Sequence, residues 1–234
     1  MRWLTGRSRW IVGAGVFVLL AASVALSAEL RRNLENAYIG APGALLVNNL
    51  RPYLYAREDG DCIEALKASG HPFQVVSEDE FTPDCPVVNP VALRRPLRQK
   101  RYMSCRLALA FQAYHREALQ PLAERLLRRE LLQVGDLGVR SCRTMGGHRV
   151  LLSEHAYANA IDLSHFDFEG GLAIDVERDW HAGGEKSRFL REAAKAACEH
   201  FNMVISPDHD DSHRDHIHVD MGLSDGCNVD GGAG

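Results

Sequence analysis

The sequence predicts an α+β fold, a mainly antiparallel sheet with flanking helices. Strand-like runs crowd the second half of the chain: Val134 to Cys142, Arg149 to Leu152, Asn159 to Phe168, Leu172 to Val176, Met203 to Ser206 and Asp215 to Met221. Two apolar stripes at helical spacing accompany them. One is Leu107, Ala110, Phe111 and Tyr114, and the other is Leu190, Ala193, Ala194, Ala197 and Phe201. The bulk composition agrees, with 46% apolar and 25% charged residues over 234 positions, which suits one full-sized domain and a small appendage.

Taken in order, the chain opens on Arg2, Arg7 and Arg9, and then Ile11 to Ala28 runs eighteen residues without a charge. Residues 1–30 therefore read as a signal peptide or a membrane anchor. Ala25 and Ser27 supply small residues for cleavage, whereas the length of the run favours the anchor, since a cleavable apolar region is usually about 7–15 residues. Either way, everything after residue 30 is expected outside the cytoplasm.

Residues 31–60 read as a stalk or linker, because Gly40-Ala41-Pro42-Gly43 and Asn48-Asn49 interrupt any period. The domain proper is expected over 61–228, with a flexible Gly-rich tail at 229–234. Inside it, Asp61 to Gly70 suits a short helix ended by Gly70 and Pro72, and Phe73 to Val76 a strand. Pro83, Pro86, Pro90 and Pro96 keep the next stretch extended. The first long helix starts at Ser104; Pro121 is expected to end or kink it and open a second, whose stripe runs on to about Leu132. Gly170-Gly171 suits a hairpin turn, and Ser187 an N-cap for the last helix.

All six cysteines (Cys62, Cys85, Cys105, Cys142, Cys198, Cys227) lie beyond the apolar segment, and none forms a C-x-x-C pair. An even count in an exported chain predicts up to three disulfides, with the pairing left open. A net charge of −4 argues against nucleic acid as a partner. The local basic run Arg94, Arg95, Arg98, Lys100, Arg101, Arg106 reads as a solvated face.

The chemistry concentrates in two stretches. Four of the eleven histidines fall between His209 and His218, among Asp208, Asp210, Asp211, Asp215 and Asp220. On a strand His216 and His218 share a face, about 6–7 Å apart. The second stretch, Ser153 to Asp162, holds His155 and Asp162 seven residues apart with alanines between. His155, Asp162 and His218 together make a set of three protein ligands with a fourth position left for water, as in catalytic zinc sites. No H-E-x-x-H is present. His148, His165, His181 and His209 read as structural or solvated, His115 as an ordinary helix-surface histidine, and Ser153 and Glu154 as groups that cap or orient the ligand loop.

Ser153-x-His155-x-x-Ala158-x-Ala160-x-Asp162 resembles the S-x-H-x-x-G-x-A-x-D signature of the zinc D-Ala-D-Ala peptidase superfamily, which includes murein endopeptidases and the Hedgehog-like fold. With Ser141-Cys142-Arg143 and His213 to Met221, the chain over about 60–228 resembles the bacterial extensin-like C-terminal domain family. The resemblance implies Zn2+ on His155, Asp162 and His218, and a peptidase acting on peptidoglycan peptides from the periplasm, tethered to the inner membrane. Zinc would lower the pKa of a water towards about 7 for attack on an amide carbonyl. His216 is the first choice as general base, with Asp215 as its rival or its orienting partner. Arg143 and Arg149 are candidates for steadying the developing oxyanion. The other function the resemblance allows is a non-catalytic module that binds cell wall or a protein on the same zinc-binding fold. The family glycine is Ala158 here; if that position needs φ > 0, alanine is strained by roughly 1 kcal/mol or more.

Overall fold

The computed structural model describes residues 41–58, 60–146 and 150–229. Residues 1–30, where the anchor or signal peptide is expected, lie outside the described residues, as do 31–40 of the stalk, His148, Arg149 and the tail from 230. Among the described residues, no helix is long and apolar enough to cross a membrane.

Helix α1 spans Ala41–Glu58, where the sequence offered no period. Its Asn48, Arg51 and Tyr55 fall on one face, and each hydrogen-bonds to the 150–154 stretch. The helix is held by polar contacts rather than by an apolar stripe, which is why periodicity does not reveal it. Helix α2 (Cys62–Ala68) follows, and then a three-stranded antiparallel sheet of β1 (Phe73–Val75), β2 (Pro90–Leu93) and β3 (Arg101–Ser104).

Ser104 caps helix α3 (Cys105–Tyr114), its Oγ accepting from the Leu107 N–H at 3.3 Å. Pro121 does not break the path. A π-helical turn, His115–Leu119, carries α3 into α4 (Gln120–Leu127), with Pro121 the second residue of α4. The helix stops at Arg128, in the left-handed region at φ 54°, short of the Leu132 that its stripe suggested. Leu131 and Leu132 instead begin β4 (Leu131–Asp136).

The main sheet follows: β5 (Ala160–Phe168), its hairpin partner β6 (Ala173–Asp175), a short α5 (Val176–Asp179), α6 (Gly184–Ala197), β7 (Met203–Ile205), β8 (Ile217–Asp220) and β9 (Gly226–Asn228). The order is β4-β5-β8-β7-β9 with β6 also on β5, and all pairs are antiparallel except β7 with β9. The expected α+β class with antiparallel sheets and helices is what the structure has.

Helix α6 starts three residues before the expected Ser187. Gly183 is its cap, and Ser187 lies in the first turn, its Oγ donating to the Trp180 carbonyl at 2.6 Å. The expected strand at 149–152 reduces to a single bridge between Leu152 and Thr144 among the described residues.

One sheet face is closed by helices. Phe166 and Phe168 of β5 meet Phe189 of α6 edge-on, with ring centroids 5.4 and 5.1 Å apart. Tyr114 of α3 donates to the Ala193 carbonyl at 2.9 Å. Ile161, Leu163, Ile217 and Val219 are fully buried in the same cluster, each contributing about 1.5–3 kcal/mol of burial. Alternation along β8 therefore turns His218 and Asp220 to the opposite face. The pairing that the sequence left open is Cys62–Cys105, Cys85–Cys142 and Cys198–Cys227.

Candidate metal centre

The centre is built on strand register. Asp162 of β5 lies directly opposite His218 of β8, so two side chains 56 residues apart in sequence are cross-strand neighbours. His155 arrives from a 3₁₀ turn (Glu154–Tyr157) that Ser153 caps, its Oγ accepting from the His155 N–H at 3.3 Å. The turn ends at Ala158, φ 49° and ψ 35°, in the left-handed region. Position 158 thus has positive φ in this chain, and alanine occupies it, fully buried.

The three ligand candidates converge. His155 Nε2 lies 3.2 Å from Asp162 Oδ1 and 3.3 Å from His218 Nδ1, and His218 Nδ1 lies 2.9 Å from Asp162 Oδ1. A tetrahedral zinc with bonds near 2.0–2.1 Å has ligand atoms about 3.3–3.4 Å apart, so these donors need move only a few tenths of an ångström to hold one. They form a possible His/Asp/His metal site.

The outer hydrogen bonds fix which nitrogen faces inward. His155 Nδ1 is 3.0 Å from the Val139 carbonyl, which only accepts, so Nδ1 carries hydrogen and Nε2 offers its lone pair to the centre. His218 Nε2 is 3.0 Å from Asp220 Oδ2, so its Nδ1 turns inward by the same logic. Asp220 is in turn steadied by the Gly222 N–H, which donates to Oδ1 at 2.7 Å.

Without a cation the site is a proton-sharing cluster. Burial alone would raise the Asp162 carboxyl, but hydrogen bonds from His155 and His218 outweigh it and hold the group well below the usual carboxylate range. Burial likewise opposes charge on His218, yet Asp162 and Asp220 on its two nitrogens raise it to about 10. Metal uptake must therefore displace a proton.

His216 and Asp215 stand beside the ligands. Asp215 Oδ1 is 2.7 Å from His216 Nδ1, and His216 Nε2 lies 3.5 Å from Asp162 Oδ1. Asp215 thus faces the outer nitrogen of His216, and His216 directs the other inward. The His213 ring stands 5.2 Å from that of His216, held by Asp210 at 2.8 Å. Arg143 joins the site only through its backbone: its carbonyl accepts the Ser153 N–H at 3.1 Å, while its side chain is exposed and makes no hydrogen bond among the described residues. His165 and His181 pair with carboxylates elsewhere, Asp167 and Asp208. The His209 ring lies at the edge, beside the His213 ring and Asp210. His115 is half-buried in the π turn rather than on the helix surface, and burial, then His71, lowers its pKa to about 4.

Sequence reasoning underrated two features. Asp220 follows His218 by two positions, and strand period alone places it on the same face. The support under Glu154 has no such signal. Glu154 Oε1 accepts the Tyr55 hydroxyl at 2.6 Å and sits 3.4 Å from Arg51 Nη1, and Oε2 accepts from Asn159 Nδ2 at 2.8 Å. Ser104 Oγ donates to Asn159 Oδ1 at 2.8 Å. Burial pushes the Glu154 carboxyl up to about 7, with Arg51 working against it.

A family whose model is described as "Extensin-like protein C-terminus" matches residues 60–228. No curated protein and no solved structure matches the chain.

Proposed function

Given that the chain belongs to the extensin-like C-terminus family, we propose that it is an exported zinc-dependent peptidase acting on peptidoglycan peptides, placed as its ligand motif suggests in the D-Ala-D-Ala peptidase superfamily with its Hedgehog-like fold. The observation that carries the reading is the donor set: His155, Asp162 and His218 with ring nitrogens aimed inward by Val139 and Asp220. Two imidazoles and a carboxylate suit zinc, and three protein ligands leave a position for chemistry. Bound there, zinc supplies Lewis acidity and an acidified water.

The chain's own residues supply the rest. The Asp215–His216 pair has the form of an oriented base: the carboxylate fixes the tautomer, and Nε2 faces the centre to take a proton from the attacking water and return it to the leaving amine. Asp220 and Val139 keep both ligand rings from turning. Arg143, whose side chain makes no hydrogen bond among the described residues, stays exposed and able to meet a substrate. The apolar run at Ile11 to Ala28 supports an inner-membrane tether with the domain in the periplasm.

The test is metal analysis combined with digestion of muropeptides. The protein is expected to carry about one zinc per chain and to release cleaved stem or cross-bridge peptides, with zinc lost in His155→Ala and cleavage lost in His216→Ala while zinc remains. Absence of zinc uptake ends the metallopeptidase reading. Zinc with bound sacculi and no released fragments would assign the domain to binding instead.

A further inference from the structure

A cleft of about 540 Å3 shares a wall with the metal centre. Gly138 and Val139 line it, and the carbonyls of the same two residues take the Asp162 N–H at 3.2 Å and the His155 ring Nδ1–H at 3.0 Å. The cleft wall is thus one strand spacing, about 4.8 Å, from a metal ligand. The start of β3 with the residue before it, Lys100 to Tyr102, lines it too, together with Phe81.

The charge on these walls is unbalanced. Arg101 is neutralised by Asp136 at 2.8 Å. Lys100 donates only to the uncharged Gln74 Oε1, at 3.1 Å, and stands 5.1 Å over the Tyr102 ring. Arg140 stands 5.3 Å over the Phe81 ring. Neither Lys100 nor Arg140 has a carboxylate partner among the described residues, and the lining holds one acid, Glu80. Aromatic faces hold both cations in place without cancelling their charge. Beside them Tyr102 and Leu137 remain 41% and 56% exposed, an apolar surface flanking two unmatched cations.

We propose that this cleft is a substrate subsite that holds a carboxylate-bearing residue of a peptide, gripped by Lys100 and Arg140 while the peptide backbone runs on to the metal centre. The proposal rests on the peptidase reading for its substrate class. The carboxylate would belong to a residue flanking the bond presented to the metal, reached along the extended peptide backbone. Lys100 and Arg140 then set specificity by charge-assisted hydrogen bonds and take no part in the chemistry.

The test uses the full-length, zinc-loaded protein and two N-acetylated pentapeptides ending in D-Ala-D-Ala, identical except for glutamate or glutamine at the second position. Titration calorimetry should show the glutamate peptide binding about tenfold more tightly. In the double variant Lys100→Ala, Arg140→Ala the two affinities should become equal through loss on the glutamate side alone, with the glutamine peptide unchanged. The preference should survive removal of the zinc by a chelator, because the cleft does not use the metal. Equal binding by the wild type, a preference unmoved by the double variant, or no binding of either peptide at millimolar concentration overturns the subsite. A retained preference with neither peptide cleaved would instead remove the peptidase reading and leave the subsite standing.

Discussion

Replacing Arg51 by methionine tests whether α1 is part of the machinery that holds His155. Arg51 is 1% exposed, its Nη1 donates to the Leu152 carbonyl at 2.7 Å, and it lies 3.4 Å from Glu154 Oε1. At an effective dielectric near 20, two charges at that separation attract by about 5 kcal/mol, of which desolvation returns a part. Methionine keeps the volume but leaves the buried Leu152 carbonyl without its donor and lets the Glu154 carboxyl, already raised to about 7 by burial, take up a proton. We expect Arg51→Met to cost about 2 kcal/mol in urea unfolding at pH 7 with disulfides intact, the range for leaving a buried polar group without its partner. Glu154→Gln should cost a comparable amount, since it strands the guanidinium and misdirects the Asn159 amide. The double variant should be less damaging than the sum of the two by about 2 kcal/mol, because neither charge is then left alone. Additive losses within about 0.5 kcal/mol, or an Arg51→Met loss below about 1 kcal/mol, would refute the reasoning.

Further outcomes follow from the same geometry. Asp220→Ala removes the acceptor from His218 Nε2–H and should weaken zinc binding about 10–100-fold in competition with a chelator; unchanged affinity rejects the orienting role. In chelated protein, His218 is held near 10 against about 6.5 unfolded, so its contribution is complete below pH 6.5 and lost as pH rises towards 10. The melting temperature of the chelated form should fall across that window, and a rise would contradict the assignment. Ala158→Gly relieves about 1–2 kcal/mol of left-handed strain but gives up about 0.8 kcal/mol of buried methyl and some chain entropy, so stability should change by less than about 1 kcal/mol; a loss of several would mean the methyl is doing more than filling space. Cys85→Ser with Cys142→Ser opens a 57-residue loop and should cost about 4 kcal/mol by chain entropy, read by denaturant titration.

The parts of the fold that bury an apolar face were legible as sequence. β5, β6, β7 and β8 lie within a residue or two of the runs that announced them, and the stripe of α3 faces the core. The ligand triad was legible for the same reason: period two along β8 and the short, alanine-rich interval before Asp162 constrain where those side chains can point. Elements organised by polar contacts were not. α1 shows no stripe because Asn48, Arg51 and Tyr55 attach it by hydrogen bonds. Leu131 and Leu132 continue a helical spacing yet belong to β4, since the left-handed Arg128 ends the helix first. The contact of Asp215 with His216 depends on a turn before β8 that brings its carboxylate to its neighbour's ring, and no regular strand would do so.

The direct pairing of Asp162 with His218 has a consequence for how a cation would leave. A site hung on loops can open by local breathing, whereas this one clasps the two central strands, β5 and β8, across their ladder. An ion held by both side chains adds a cross-link between the two strands, so parting them costs the metal bonds as well as the ladder. Amide exchange at Ile161 to Leu163 and Ile217 to Val219 should therefore slow together when metal is added.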